Sequence, residues 1–293
     1  MKRFILLFIT IFTFAILPAT SNELPIREKF EQSKATYSNK SSVIKFFQDH
    51  ANYANEKKIK ELLNCYAPEF ITNDGFDKNI AEKMLTSLWK DKNEIKYQNK
   101  VNSISFYGDT ALVDVTEHAN AKMKNSDKQK GTLKSCSNIL YCLKKTNNSW
   151  IIVSENVLTE EINITWGDAR YVAMFMEAPQ QVAANTEYSA RLYIAPPTGI
   201  VAIGAIRNDK ITYPQIDGEN VFRKFSPDYT LERLLISNSD NTNEYAFSTV
   251  MFSNSHTRNN AITGYAYLIR RVNVVPKNNF IKDIKTKDET IKK

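Results

Sequence analysis

The first clear period in the chain begins at Ser41. Val43, Phe46, Phe47, His50, Ala51 and Ala54 recur at three- and four-residue spacing, which predicts a helix with one buried face, and Ser41 or Ser42 can cap its first turn. Asn55 interrupts it. A second helical segment from Glu56 to about Cys65 turns Ile59, Leu62 and Leu63 inward. It stops ahead of Pro68, because the residue before a proline is pushed out of helical geometry. A third, from about Asp77 to Lys90, gathers Ile80, Met84, Leu85 and Leu88 on one side. After Trp89 the period shifts toward two. Residues 94–108, 109–123, 132–145 and 149–162 are long segments with alternating stretches, joined by Gly108-Asp109, by a polar loop around Asn125 to Gly131 and by Asn147-Asn148. Helices first and antiparallel strands second argue for an α+β domain over 41–162, with a curved sheet of long strands wrapped around a long helix.

From Asp168 onward no helical period recurs. Short β-rich runs follow one another instead: "ARYVAMFM", "TEYSARLYI", "IVAIGAI", "DYTLERLLI", "EYAFSTVMF" and "AITGYAYLIRRVNVV". Turn signals separate them at Ala195 to Gly199, Asp217-Gly218 and Ser237 to Asn243. This pattern predicts a second, all-β sandwich domain over 163–276. Residues 22–40 are polar without a sustained period and read as a linker, and 277–293 as a basic, flexible tail.

The N-terminus sets the compartment. Lys2 and Arg3 precede the apolar run "FILLFITIFTFAIL", and Pro18 and the small residues Ala19, Thr20 and Ser21 follow it, the pattern of a secretory signal peptide over 1–21. The apolar run falls short of the roughly 20 residues a membrane helix needs, so an uncleaved anchor ranks second and the mature chain carries no transmembrane span. Export places the protein in the periplasm, at the cell surface or outside the cell.

Composition, 42% hydrophobic and 24% charged, is that of a globular chain. The formal charge of +7 raises the question of nucleic acid. Losing Lys2 and Arg3 takes it to +5, and the tail, with six lysines against Asp283, Asp288 and Glu289, holds +3 of that. The +2 left over the folded part is no basic footprint, so nucleic-acid binding is excluded.

Few residues invite chemistry. Cys136 and Cys142 lie on one expected strand, roughly 20 Å apart, too far for a disulfide or a shared metal. Cys65 could bridge to Cys136 or to Cys142 in an oxidising compartment, leaving one thiol over; three small buried side chains is the alternative. His256 falls in a polar turn, and His118 is separated from Asp114 by roughly 13 Å of strand. His50 lies on the apolar side of the first helix, where an isolated histidine is usually a core residue. No metal-ligand set, nucleophile elbow or phosphate loop is present, and no cofactor is called for.

The stretch "FFQDHANYANEKKIKELLNCYAPEFITNDG", with "FYGDTALVDV" and "NNSWIIVSEN" after it, resembles the nuclear transport factor two-like superfamily, which includes ketosteroid isomerases and SnoaL-like polyketide cyclases. The resemblance covers 41–162. It implies a cone-shaped fold and places Asp74 where the isomerases hold their general base. It places His50 where they hold an enolate-stabilising tyrosine; their second acidic donor finds no counterpart. In this picture Phe47, Trp89, Tyr97 and His118 line the ligand pocket, and the N-terminal sheet offers a face for a homodimer. The stretch "APQQVAANTEYSARLYI" resembles the opening of bacterial immunoglobulin-like domains, without the cysteine and tryptophan spacing of antibody domains. Many members of the superfamily are not enzymes, and Asp74-Gly75 is also an ordinary turn. The expectation is therefore an exported, non-enzymatic binding or assembly module of the bacterial envelope, whose partner is an envelope protein or a small apolar ligand. The alternative is an isomerase- or dehydratase-like enzyme acting on a small apolar carbonyl compound.

Overall fold

The computed structural model describes residues 26–91, 94–124, 130–147, 149–216, 218–254 and 261–277, with side chains from Ser38 onward except at Asp91 and Lys124. The expected signal peptide, and all of the expected tail but Lys277, lie outside the described residues. The chain divides into two compact units, one up to Ser41 and one from Ser42 onward. In the first, the described residues form the opening turns of helix α1 (Ile26–Asn55). The stretch expected to be a linker is thus helical from Ile26. Its glutamates, lysines, glutamine and alanine are good helix formers even where no apolar period marks them.

In the second unit α1 runs on to Asn55, followed by α2 (Ile59–Asn64), strand β1 (Tyr66–Thr72) and α3 (Lys78–Asp91). Four long strands come next: β2 (Ile95–Tyr107), β3 (Thr110–Lys124), β4 (Lys130–Thr146) and β5 (Ser149–Gly167). A 3-10 turn (Asp168–Tyr171) leads into β6 (Ala173–Glu177), β7 (Gln181–Ala183), β8 (Glu187–Ala195), β9 (Ile200–Lys210), β10 (Arg223–Lys224), β11 (Thr230–Ile236), β12 (Glu244–Asn254) and β13 (Ile262–Val275).

The strands do not form two separate domains. Eight of them make one continuous path, β10-β9-β12-β13-β5-β4-β3-β2, with β1 added on β5 and β7 on β13, so that ten strands share one largely antiparallel sheet. The expected α+β cone followed by an independent sandwich is therefore corrected to a mainly β chain built on one large sheet. The reason lies in β5. Its first half pairs with β1, through Tyr66↔Ile152 and Thr72↔Glu155, and its second half pairs with β13 from Arg270↔Glu161 to Gly264↔Gly167. Throughout, its other edge is held by β4. The expected boundary at 162/163 falls inside this strand, where Ile162 faces Ile269 and Asn163 faces Leu268.

A three-stranded sheet, β11-β8-β6, covers one face of the β9-β12-β13 wing. Met176, Ala190, Leu192 and Leu235 interlock there with Ile206, Val250, Phe252, Ala266 and Leu268, all buried. On the other wing Val43 and Phe47 of α1 are buried with Val113, Val115, Tyr141, Leu143 and Ile152. Two side chains fix α1. Trp150 Nε1 donates to Ser42 Oγ at 2.9 Å, and Asn55, which ends the helix, pairs through its amide with both the N–H and the C=O of Tyr97 at 2.8 and 2.9 Å.

The helix expected to stop ahead of Pro68 is followed directly by strand β1. Pro68 cannot donate to a ladder, and the pairing of β1 with β5 breaks register between Tyr66 and Ile71, around the proline.

Candidate functional site

The site is set by two irregularities in β5. Pairing with β4 shifts between Cys142 and Leu143, leaving Val153 over, and again between Asn138 and Ile139, leaving Leu158 over. Each such bulge reverses the parity of the strand, and bulges often re-aim side chains beside active sites. As a result Ile152, Glu155, Val157 and Glu160 all share the face that carries Leu143, Tyr141, Ile139 and Ser137 on β4 and Val113, Val115 and Glu117 on β3.

On that face lies a cavity of about 770 Å³. The helices supply its apolar wall, with Ala51, Ala54, Leu62, Met84, Leu85 and Leu88; Phe70, Phe76 and the segment 211–215 add to it. The strands supply a polar floor of Glu117, Tyr141, Glu155, Glu160, Tyr245 and Arg271, to which His50, Tyr66, Asp74, Tyr97 and Asn99 are added at the sides. Tyr141 Oη donates to Glu117 Oε1 at 2.9 Å, and Tyr245 Oη to Glu160 Oε2 at 2.8 Å. Glu155 stands across from Tyr141 on β5, and among the described residues its carboxyl group has no hydrogen-bond partner.

Burial governs the titration of this floor. Loss of solvation pushes Glu117 up to about 7, against the pull of the Tyr141 hydrogen bond, and Glu155 up to about 8, with the charges of Glu117, Glu160 and Asp74 adding to the effect. Glu160 is raised in the same sense by burial. Burial lowers His50 to about 4, so its imidazole is neutral.

The tautomer of His50 follows from its neighbours. Asn99 Nδ2 contacts both the Phe47 carbonyl, at 3.4 Å, and His50 Nδ1, at 3.3 Å. A carbonyl only accepts, so this atom is the NH₂ group and Nδ1 accepts its second proton. The proton on Nε2 is then donated to Tyr66 Oη, 2.8 Å away. The hydroxyl proton of Tyr66 is left to point elsewhere, and the cavity is beside it.

Asp74 sits in a turn closed by the Gly75 N–H on the Thr72 carbonyl, with Gly75 at φ +80°, while the Thr72 hydroxyl accepts from the N–H groups of Asp74 and Phe76. The turn aims the carboxylate at β13. Arg271 meets it with both terminal nitrogens, at 2.5 and 2.9 Å, and Asn243 Nδ2 donates to it at 2.8 Å. The guanidinium and carboxylate side chains are 1% and 7% exposed. The third guanidinium donor, Nε, goes to Asn273.

The structure thus brings Asp74, His50 and Tyr97 to one cavity and leaves the other expected residues outside its lining. Phe47 is in the core against Tyr141, ring centroids 5.1 Å apart. Trp89 is buried behind Tyr97, donating Nε1 to its hydroxyl at 3.3 Å. His118 takes the opposite face of β3 from Glu117 by strand alternation. Cys65, Cys136 and Cys142 are free thiols: Cys65 closes α2, while Cys142 faces Ser154 across the far edge of β5 from β1. No group of three or more metal-binding side chains occurs among the described residues. His256 lies outside them. No helix of the described residues is long and apolar enough to cross a membrane.

Sequence reading missed Glu117, Glu155, Glu160, Tyr66, Tyr141, Tyr245 and Arg271. One signal was available: the alternation Ala111, Val113, Val115, Glu117, Ala119, Ala121 puts a lone carboxylate in an otherwise apolar register.

No family model and no curated protein matches the chain. Solved structures resemble it over about two fifths of its length, among them NTF2-like and SnoaL-like proteins. Bd1075 of Bdellovibrio bacteriovorus is 15% identical over 40% of this chain, with a TM-score of 0.31, and the match spans 39% of that protein. A type 2 hexachlorocyclohexane dehydrochlorinase, LinA, is 11% identical over 42% of this chain and 85% of its own, TM-score 0.33. ActVI-ORFA of Streptomyces coelicolor is 9% identical over 41% and 93%, TM-score 0.30. Scores this low assign neither fold nor activity to this chain.

Proposed function

We propose that the cavity binds a small, largely apolar molecule and that Glu155 moves a proton to or from it, in an isomerase- or dehydratase-like reaction. One observation carries this reading: an unpaired carboxyl group, raised to about 8, faces a cavity of about 770 Å³. Such a group exchanges its proton near neutral pH and needs no movement of its neighbours to do so. Asp74, the base that resemblance suggests, has both oxygens engaged by Arg271 and Asn243, and we infer that it positions β13 instead. Tyr66 is the natural partner for charge that develops on a substrate oxygen, because neutral His50 donates to its oxygen and leaves its own proton available.

A panel of small cyclic ketones in deuterated water, followed by proton NMR, tests the assignment. Exchange at the carbon next to the carbonyl should be faster with the protein than without it, and Glu155→Gln should abolish the difference. Equal exchange by the wild-type protein and the Glu155→Gln variant would remove Glu155 from the chemistry. We also propose that the chain is exported, on the strength of Lys2, Arg3, the apolar run and the small residues at 19–21. Envelope-extracted protein should then begin near Asn22, and an intact Met1 would contradict export by cleavage.

A further inference from the structure

The charge of the ligand can be argued from the same cavity, and the inference rests on reading that cavity as a ligand site. Its ionisable lining contains four carboxyl groups, Asp74, Glu117, Glu155 and Glu160, against one permanent cation, Arg271. The cation is not available. Two of its nitrogens grip Asp74 and the third binds Asn273. His50 is neutral and already donates to Tyr66. An anionic ligand would therefore enter among acids with no base to meet it, and burying a charge without a partner is strongly unfavourable.

The acids, by contrast, have acceptor capacity left over. The carboxyl group of Glu155 has no hydrogen-bond partner among the described residues; Glu117 is met on one oxygen by Tyr141, and Glu160 on one oxygen by Tyr245. Glu117 and Glu160 stand in one row across the sheet, on either side of Ser137, which puts their backbones roughly 10 Å apart. Aromatic rings surround this floor: Tyr66, Phe70, Tyr97, Tyr141 and Tyr245 line the cavity, and Tyr66 and Phe70 pack edge to face at 4.6 Å. Carboxylates beside aromatic faces are the chemistry that recognises an ammonium group, by ion pairing and by attraction to the ring quadrupoles.

We propose that the ligand is a cation on an apolar body, an amine or quaternary ammonium compound whose charged group lies among the carboxyl groups of Glu117, Glu155 and Glu160 and whose body lies against α2 and α3. Binding should release protons. In the free cavity Glu155 keeps its proton, because no cation there compensates its charge; an arriving ammonium does compensate it, and the proton of Glu155 leaves for solvent.

Three probes with the same body and different charge test this: 4-phenylbutylamine, 4-phenylbutanol and 4-phenylbutyrate, titrated calorimetrically near neutral pH in two buffers of different ionisation enthalpy. The amine should bind about tenfold or more tightly than the alcohol, the worth of one charge-assisted contact, and the carboxylate should not bind. The amine's heat should differ between buffers, reporting proton release. Glu155→Gln and Glu160→Gln should each weaken the amine about tenfold and leave the alcohol unchanged. The proposal is overturned if the alcohol or the carboxylate equals the amine, if none of the three binds, if no protons are released, or if both variants bind the amine normally. Amine binding that persists while ketone exchange is absent would sink the proton-transfer reading and leave this one standing.

Discussion

Replacing Glu155 by glutamine should stabilise the free protein at neutral pH and do nothing in acid. In the unfolded chain this carboxyl titrates near 4.5, and in the fold burial and three neighbouring carboxyl groups raise it to about 8. A folded value above the unfolded one means that the stability belonging to the group is complete below 4.5 and is lost as pH rises toward 8. At about 1.4 kcal/mol per pH unit, the folded state gives up about 3 kcal/mol by pH 7. Water reaching the cavity lessens this, so we expect about 2 kcal/mol. Glutamine has the shape of the protonated acid and no proton to lose. Its variant should match the wild type at about pH 4 and exceed it by about 2 kcal/mol at pH 7, read from urea unfolding at a series of pH values. His50 works in the opposite sense, since its folded value of about 4 lies below 6.5 and stability falls as pH drops between the two. It acts equally on both proteins, so the difference between their curves isolates Glu155. A constant difference across pH, or a variant less stable at pH 7, would refute the argument that this carboxyl is held neutral against its preference.

The other expected outcomes concern the frame of the site. Arg271→Leu leaves Asp74 buried without its cation and should cost about 3–5 kcal/mol in urea unfolding, with part of the loss recovered in the double variant that also carries Asp74→Asn; a wild-type midpoint for the single variant would show that the pair holds nothing. A fragment of residues 164–276 should lack a cooperative unfolding transition, because it cuts β5 within the stretch that pairs with β13 and removes β4 from the other edge of that strand; a sharp transition would mean the C-terminal wing has a sufficient core of its own. Phe47→Ala should destabilise by about 3–5 kcal/mol through the cavity left against Tyr141, with ligand binding retained once folded protein is recovered, because Phe47 lies outside the cavity lining.

Individual elements were legible in the sequence where their signals were local, and their assembly into one sheet was not. The three- and four-residue spacing of Val43, Phe47 and Ala51 marks α1, and the alternating stretches after Trp89 correspond to β2 through β5. The false boundary near Ile162 has a local cause as well. There β5 exchanges β1 for β13 on one edge, and the composition changes with the partner although the strand does not end. Long-range pairing of this kind leaves no period to read. Strand β1 was hidden by Pro68 for the same reason, since its one partner lies far along the chain.

The functional residues were harder still, and β5 shows why. Strict alternation from the buried Ile152 would carry Ser154, Asn156, Leu158 and Glu160 to the inner face, and would send Glu155 outward with Val157. The first bulge, at Val153, reverses this and turns Glu155 and Val157 inward; without the second, at Leu158, Glu160 would turn outward again. A sequence pattern can show that a strand exists, but a bulge depends on how the neighbouring strand pairs, and β4 gives no composition signal for it. Glu117 lies on the uninterrupted part of β3 and was open to discovery by period alone. Glu155 was not, because the extra residue that turns it inward is defined only once β4 and β5 are side by side, and the second bulge returns Glu160 to the face that strict alternation already gave it.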